Sequence, residues 1–415
     1  MMKKKITAFA VAFLFVFSHV HSQTPYTEYW NNGAVATKGF LSDNKTRTGQ
    51  WQWFYDNGKM QIKGEYDKNG RKTGQWIYYY ENDSIQKVEI ASGNGIMKAF
   101  YPNGQLHYSC IVSDGKKQGP YKEFFPDGKI KFESSYKNDS LDGKATWWYE
   151  SGRKDMEGFL KNGKRDSLWT YYYKSNGEKG SEGRYSNDKE TGHWIYFYET
   201  GEKWREGEYL EGKRTGLWKT YYENGKLHHK GSYVNGEEEG VWESWFENGN
   251  IISRGSFSNG EMNGRWELFY EDGTKKTEVS YKNGMKDGTE ILYDEKGDMF
   301  QKANYNNGIL NGRWEKYLSG ILIEQGMYSQ GRKEGKWTFF SQNGSKQREQ
   351  NFRDGRPDGK WIEYYSADKP SGEGEYKNGL RTGVWKNYDK EGNVISRTVF
   401  DNGKKVKEEI KKRND

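Results

Sequence analysis

Apolar residues in this chain come in short segments that alternate with polar positions. A glycine-bearing turn closes each segment after about ten to twelve residues. The stretch from Thr215 to Gly240, TGLWKTYYENGKLHHKGSYVNGEEEG, is nearly repeated by the next, GVWESWFENGNIISRGSFSNGEMNG. Aligned on the residue two places before the tryptophan, fifteen units run from Gly49 to Gly383, and nearly every step is 24 residues. "KSNGE" carries one extra residue in its turn and "YLSG" lacks one. A degenerate unit around Tyr29-Trp30-Asn31-Asn32-Gly33 precedes them, which makes about sixteen. Tryptophan fills the third position of eleven of the fifteen, and Met97, Tyr121, Ala145 and Glu290 replace it in the others.

This punctuation argues against helices, which need an apolar stripe at 3.6-residue spacing and tolerate few glycines. Aromatic segments such as "WKTYY" and "KGSYV" suit strands, and Asn-Gly is a strong hairpin signal because a type I′ turn needs positive φ. Each unit is therefore predicted to be one β-hairpin, with a first turn at Asn224-Gly225 and a second at Asn235-Gly236 leading onward. Trp218, Thr220 and Tyr222 share one face, Lys219 and Tyr221 the other, and Gly231 shares a face with Tyr233. A glycine there lets a neighbouring ring lie over bare backbone. A lone hairpin is marginal in water, whereas stacked hairpins bury one another's aromatics. The predicted fold is all-β: an elongated array of about sixteen 24-residue hairpins in a twisted antiparallel ribbon or a wound solenoid.

Composition sharpens this picture. Only 33% of the 415 residues are hydrophobic, yet 17% are aromatic and 52 are glycine. A chain poor in aliphatics is disordered unless something else builds a core; here rings must build it. Lys3, Lys4 and Lys5 precede an apolar run from Ile6 to Phe17, which reads as a secretory signal over residues 1–22 and implies an exported protein. The array is then residues 23–403, with a charged tail over 404–415. Cys110 is the sole cysteine, so no intramolecular disulfide supports the fold. Without the three leader lysines the formal charge falls from +7 to +4, too balanced for a nucleic-acid partner.

The pattern in these units resembles the MORN repeat, in the variant form of bacterial YwqK-like proteins. "GKWTFFSQNGSKQREQNFRDGRPDG" shows it as well as the two stretches quoted above. The resemblance implies a β-hairpin array for protein or membrane-surface contact, and some relatives carry an antitoxin label. "TGQWIYYYENDS" is also similar in style to choline- and cell-wall-binding modules, whose repeats are shorter.

No catalytic constellation emerges, and no cofactor or metal site is predicted. His228 and His229 are adjacent on a strand, face opposite sides and read as exposed positions; Cys110 with His107 does not make a nucleophile pair. One regularity remains. The residue before the first-turn asparagine is often acidic (Glu81, Glu223, Glu247), and the residues after the second turn are often basic. Lys164-Arg165, Lys213-Arg214 and Arg332-Lys333 are candidate contacts to an anionic surface. The alternative is ordinary solvated turn chemistry that discourages edge pairing. The functional expectation is a non-catalytic exported scaffold that binds a protein or an envelope surface. Its alternatives are a glycan- or cell-wall-binding protein with exposed rings and an antitoxin-like protein that neutralises a toxin. Ring exposure separates scaffold from glycan binder.

Overall fold

The computed structural model describes residues 23–366 and 368–410, so the predicted leader lies outside the described residues. Those residues form thirty-four strands and no helix. They divide into one unit up to Gly177 and a second from Glu178. In the first unit each strand pairs antiparallel with the next in sequence, from Thr24–Tyr29 to Lys164–Tyr172, and the short pair Ser140–Leu141 and Gly143–Trp148 acts as one interrupted strand. The second unit repeats the scheme from Lys179–Ser186 to Lys404–Ile410. The charged tail predicted from residue 404 is therefore strand as far as Ile410. Its Lys-Lys-Val-Lys-Glu-Glu-Ile sequence pairs antiparallel with Val394–Asp401, while all seven residues stay exposed.

The two Asn-Gly turns of a unit differ. At the second, Asn235 (φ 54) and Gly236 (φ 94) are both left-handed, as a two-residue type I′ loop requires. At the first, Gly225 alone is left-handed (φ 80). The Tyr222 amide donates to the Lys226 carbonyl, and the Gly225 amide to the Tyr222 carbonyl. This is a three-residue loop ending in a left-handed glycine, a correction to the single turn type predicted. The one-residue deletion in "YLSG" converts a first turn to the shorter form, with Ser319 (φ 48) and Gly320 (φ 75) both left-handed. A third glycine, the one before the tryptophan, serves neither as turn nor as seat. Gly216 (φ 62) lies in a bulge where Glu206 pairs with Lys219 but Glu208 with Thr215.

The fourth glycine is the seat. A Cβ built on Gly207 would lie 2.2 Å from the Trp218 ring, and the other eight seats, Gly39 to Gly374, give 2.0–2.3 Å to theirs. The indole N–H of Trp218 donates to the Glu208 carbonyl at 3.1 Å, beside the seat, and Trp51, Trp169, Trp194, Trp266 and Trp337 do the same with their own neighbours. Tyr209 stands edge-on to Trp194 on one side and Trp218 on the other, at 5.9 and 5.1 Å between centroids. Trp51, Trp169 and Trp337 are almost wholly buried as a result.

Seat and ring vary together along the chain. All nine glycine seats receive a tryptophan. Where the seat is Glu89, Cys110, Ser134 or Val279, the incoming residue is Met97, Tyr121, Ala145 or Glu290. Ala303 and Gln350 face Trp314 and Trp361, and neither of these reaches the core. A second set of bonds ties successive hairpins together. The Tyr222 hydroxyl donates to the Trp245 carbonyl at 2.8 Å, and Tyr55, Tyr80, Tyr101, Tyr198 and Tyr270 make the equivalent bond. Trp30 makes it with its indole to Phe54, which fixes the phase of the degenerate first unit.

Seat and ring are therefore energetically coupled. Trp218→Ala is expected to cost roughly 3–5 kcal/mol, confined to adjoining hairpins because contacts are between neighbours. Gly207→Ala alone is expected to cost roughly 1–3 kcal/mol by overpacking, and to cost almost nothing once Trp218 is already alanine. Hydrogen exchange on the two single variants and the double variant measures this; additive losses would refute the coupling.

Candidate functional site

The six cations singled out in the sequence do not act alike. Lys164, Lys213 and Arg332 are exposed at the strand ends beside the second turns. The second member of each pair turns onto the aromatic face. The Arg214 guanidinium lies 4.8 Å from the Trp218 ring and donates to the Tyr233 hydroxyl at 3.0 Å. Lys333 sits 3.8 Å above the Trp337 ring and bonds Glu324 at 2.8 Å. Arg165 donates to the Tyr171 hydroxyl at 3.1 Å. Arg47, Lys72 and Arg381 cover their own tryptophans in the same way, each from four residues before the ring. Half of the basic regularity is thus a row of cationic lids on the ladder, held by cation–π attraction and by packing of the side-chain stem.

At the other strand ends the acidic residues of the first turns are exposed, and their backbones are engaged. Lys226 donates to the Glu247 carbonyl at 2.7 Å, and Asn248 to that of Glu271 at 2.9 Å.

The face opposite the ladder carries a motif that strand alternation alone did not reveal. Glu157, Glu206, Glu278, Glu349 and Glu373 each accept a hydrogen bond from a tyrosine fifteen residues later, Tyr172, Tyr221, Tyr293, Tyr364 and Tyr388. In the first four a lysine three residues before the glutamate closes an ion pair with it. Lys154, Lys203 and Lys346 also lie 5.4–5.7 Å from the ring of the same tyrosine. The signal was available as K-x-x-E followed by Tyr at plus fifteen, but linking the two strands requires the turn and bulge geometry. The Tyr172 bond, opposed by burial and aided by Lys154 and Lys144, holds the Glu157 carboxyl down at about 2. Burial pushes the Glu206 carboxyl up, and the Lys203 and Tyr221 bonds more than reverse it, so it too titrates below the usual range.

The remaining candidates are absorbed by packing. His228 lies against Tyr222 at 4.4 Å, a ring contact where an exposed position was expected, and His107 lies against Tyr101 at 4.4 Å. Burial pushes the His229 imidazole down, beside Trp242. Cys110 is itself a seat, paired with Tyr121, and burial pushes its thiol up. Among the described residues no group of three or more His, Cys, Asp or Glu is placed to hold a metal ion. Eight of the eleven tryptophans at the equivalent position are buried in the ladder, and Trp242, Trp314 and Trp361 are half-buried.

Because the folded Glu157 carboxyl titrates below its ordinary value of 4.5, its contribution to stability is complete above about pH 4.5 and fades as the pH falls toward about 2. Between these limits, Glu157→Gln is expected to flatten the loss of protection of the strand Lys154–Lys161 with acid. Hydrogen exchange across that range checks this, and parallel curves for the two proteins would contradict it.

The family described as "MORN repeat variant" matches residues 47–68, 94–111, 117–138, 214–235, 238–259, 262–283, 286–307, 333–354, 357–378 and 381–409. No curated protein matches. Among solved structures, the chain aligns with TcdB2-TccC3-Cdc42 at 10% identity and with TcdB2-TccC3 at 10%, covering 91% of this chain and 24% and 27% of those, with TM-scores of 0.15. The Photorhabdus luminescens Tc holotoxin pore aligns at 9%, over 90% of this chain and 23% of that one, also at 0.15. The chain spans about a quarter of the length of those chains. The family match stands on the device described above: a segment such as 214–235 opens on the lid Arg214, contains bulge, ring, first turn and seat, and closes at Asn235. With ten such segments covering more than half of its length, the chain belongs to the MORN repeat variant family.

Proposed function

We propose that the chain is an exported, non-catalytic scaffold that binds a protein partner across several repeats at once. Repeats of this family generally mediate protein or membrane-lipid contact. The supporting observation is the division of labour between the two faces. Ladder, lids and staples occupy one face and the strand ends; on the opposite face the position before the tryptophan holds an ion-paired residue in some units, such as Arg265 and Lys336, and an exposed apolar one in others. Leu217 and Val241, one repeat apart, are 50% and 64% exposed there, bordered by the charged row Glu206, Lys219, Lys230 and Glu243. Exposed apolar side chains framed by charge suit a protein interface, and modest contacts on successive repeats combine into avidity. Export rests on the leader sequence, and the partner is sought accordingly in envelope fractions.

Leu217→Asp with Val241→Asp is expected to weaken capture of an envelope partner at least tenfold without changing the melting temperature. Capture that is unchanged, or no saturable partner for the wild type, would refute the assignment. For an anionic surface the cation pairs should separate. Arg214→Ser is expected to destabilise its hairpins, whereas replacing Lys164, Lys213 and Arg332 by serine should leave stability intact and abolish any co-sedimentation with anionic liposomes. Binding to such liposomes that survives the triple replacement would exclude these residues as the contact.

A further inference from the structure

The opposite face changes character over the first five strands, β1 (Thr24–Tyr29), β2 (Val35–Leu41), β3 (Arg47–Phe54), β4 (Met60–Tyr66) and β5 (Lys72–Tyr79). Register places two rows side by side there. One runs through Thr27, Lys38, Gln52, Lys63 and Ile77, each paired with the next. The other holds Phe40, then the pair Gln50 and Glu65, then Gln75. Between them lie two adjoining hollows of about 370 and 290 Å³ that share Gln50 and Gln52 as a common wall.

The polar groups of this segment are unspent. Further along the same face, carboxylates are bracketed by lysine and tyrosine. Here no ion pair or side-chain hydrogen bond joins Lys38, Gln50, Gln52, Lys63, Glu65 or Gln75 among the described residues. Lys38 and Lys63 do rest against rings, 5.3 Å from Phe54 and 5.7 Å from Tyr79, which steadies their stems and leaves the ammonium groups available. Phe40 contributes an apolar surface that is 39% exposed. The floor therefore presents three neutral amides, each able to donate twice and accept twice, together with one carboxylate, two ammonium groups and one phenyl ring.

From this we infer that the hollows over β1–β5 are a binding site for a neutral oligosaccharide, with one sugar ring in each. Vicinal hydroxyls both donate and accept, and a side-chain amide answers both with its N–H and C=O groups. The C–H face of a pyranose packs on a phenyl ring such as that of Phe40. An anionic ligand fits less well, because Glu65 and the uncharged amides offset the two lysines. An extended peptide takes its hydrogen bonds from a strand edge, whereas these rows lie on a sheet face, where each strand is already paired to its neighbours. The larger hollow, at about 370 Å³, stands at the lower end of the size range of small-molecule sites, roughly 300–1,000 Å³, and the smaller, at about 290 Å³, just below it.

The test is calorimetric titration of the full chain with chitotriose, cellotriose and maltotriose, beside a sulfated heparin tetrasaccharide. Saturable binding of at least one neutral trisaccharide is expected. It should weaken at least tenfold in Gln50→Ala/Gln52→Ala and in Phe40→Leu, both with unchanged far-ultraviolet circular dichroism. Gln75→Ala, at the rim, should cost a smaller factor. No binding of any neutral trisaccharide, binding of the sulfated sugar alone, or equal affinity in the variants would overturn the assignment. Leu217→Asp/Val241→Asp should leave the sugar affinity unchanged, so this site and the protein interface stand or fall separately.

Discussion

A tryptophan laid on bare backbone governs this architecture. A sheet of single thickness has no second layer to cover its apolar face, so each hairpin must cover its neighbour. The indole provides enough area to do so, but only if the strand beneath it offers no Cβ. With ring-to-Cβ distances of 2.0–2.3 Å at all nine glycine seats, alanine is already too large. The glycine's entropic cost in a strand is offset by the ring it admits and, at six of the nine seats, by the indole hydrogen bond beside it. That bond is available because the bulge at the preceding glycine omits the seat from the pairing ladder, as the step from Glu206–Lys219 to Glu208–Thr215 shows. Bulge, seat and ring are one device.

The exceptions follow from the same constraint. Once the seat carries a side chain, the ring cannot lie flat on it: either the incoming residue changes, or, as with Trp314 over Ala303 and Trp361 over Gln350, the tryptophan stays short of the core. Val279 and Glu290 pair directly across the strands, and the Glu290 carboxylate, buried where a ring would be, is held by Lys286 and by the Tyr305 hydroxyl at 3.1 Å. Lys286 occupies the lid position. The cation that elsewhere covers a ring here neutralises a buried acid, so one side-chain type at one position serves both outcomes. Burying a carboxylate without such partners would be costly.

Much of this was legible in the sequence, and the failures have physical causes. Repeat length, hairpin content and the shared face of Gly231 and Tyr233 follow from spacing, because strand alternation has a fixed period. That two Asn-Gly dipeptides adopt different turns does not follow from the dipeptide, since one more loop residue moves Asn224 out of the left-handed region while leaving Gly225 in it. The basic residues were visible, but their division was not. Lys213 and Arg214 are adjacent, and strand alternation sends one outward and the other over Trp218. The Tyr–Glu–Lys brackets were missed because they join residues on adjacent strands through a bulge, and a shift of one register position would separate them. Strand content through Ile410 was missed because seven exposed residues show no apolar face.

Once structural duties are assigned, the positions that remain are few. In a unit such as 214–235 the lid, bulge, ring, staple, turns, seat and Tyr233 are committed, and the bracket takes up part of the opposite face. The residue before the ring and the residue after the seat are left. Their occupants vary freely along the chain: Gln50 with Glu65, Ile96 with Ile111, Leu217 with Ser232, Val384 with Val399. Positions that the fold does not constrain are where recognition can differ from repeat to repeat without loss of stability. A regular array thereby carries an irregular surface: polar amides over the first strands, exposed isoleucines at Ile96 and Ile111, and aliphatics framed by charge at Leu217 and Val241. The same economy that makes the ladder repetitive leaves side chains such as Leu217, Val241 and Val384 exposed and outside the packing that holds the hairpins together.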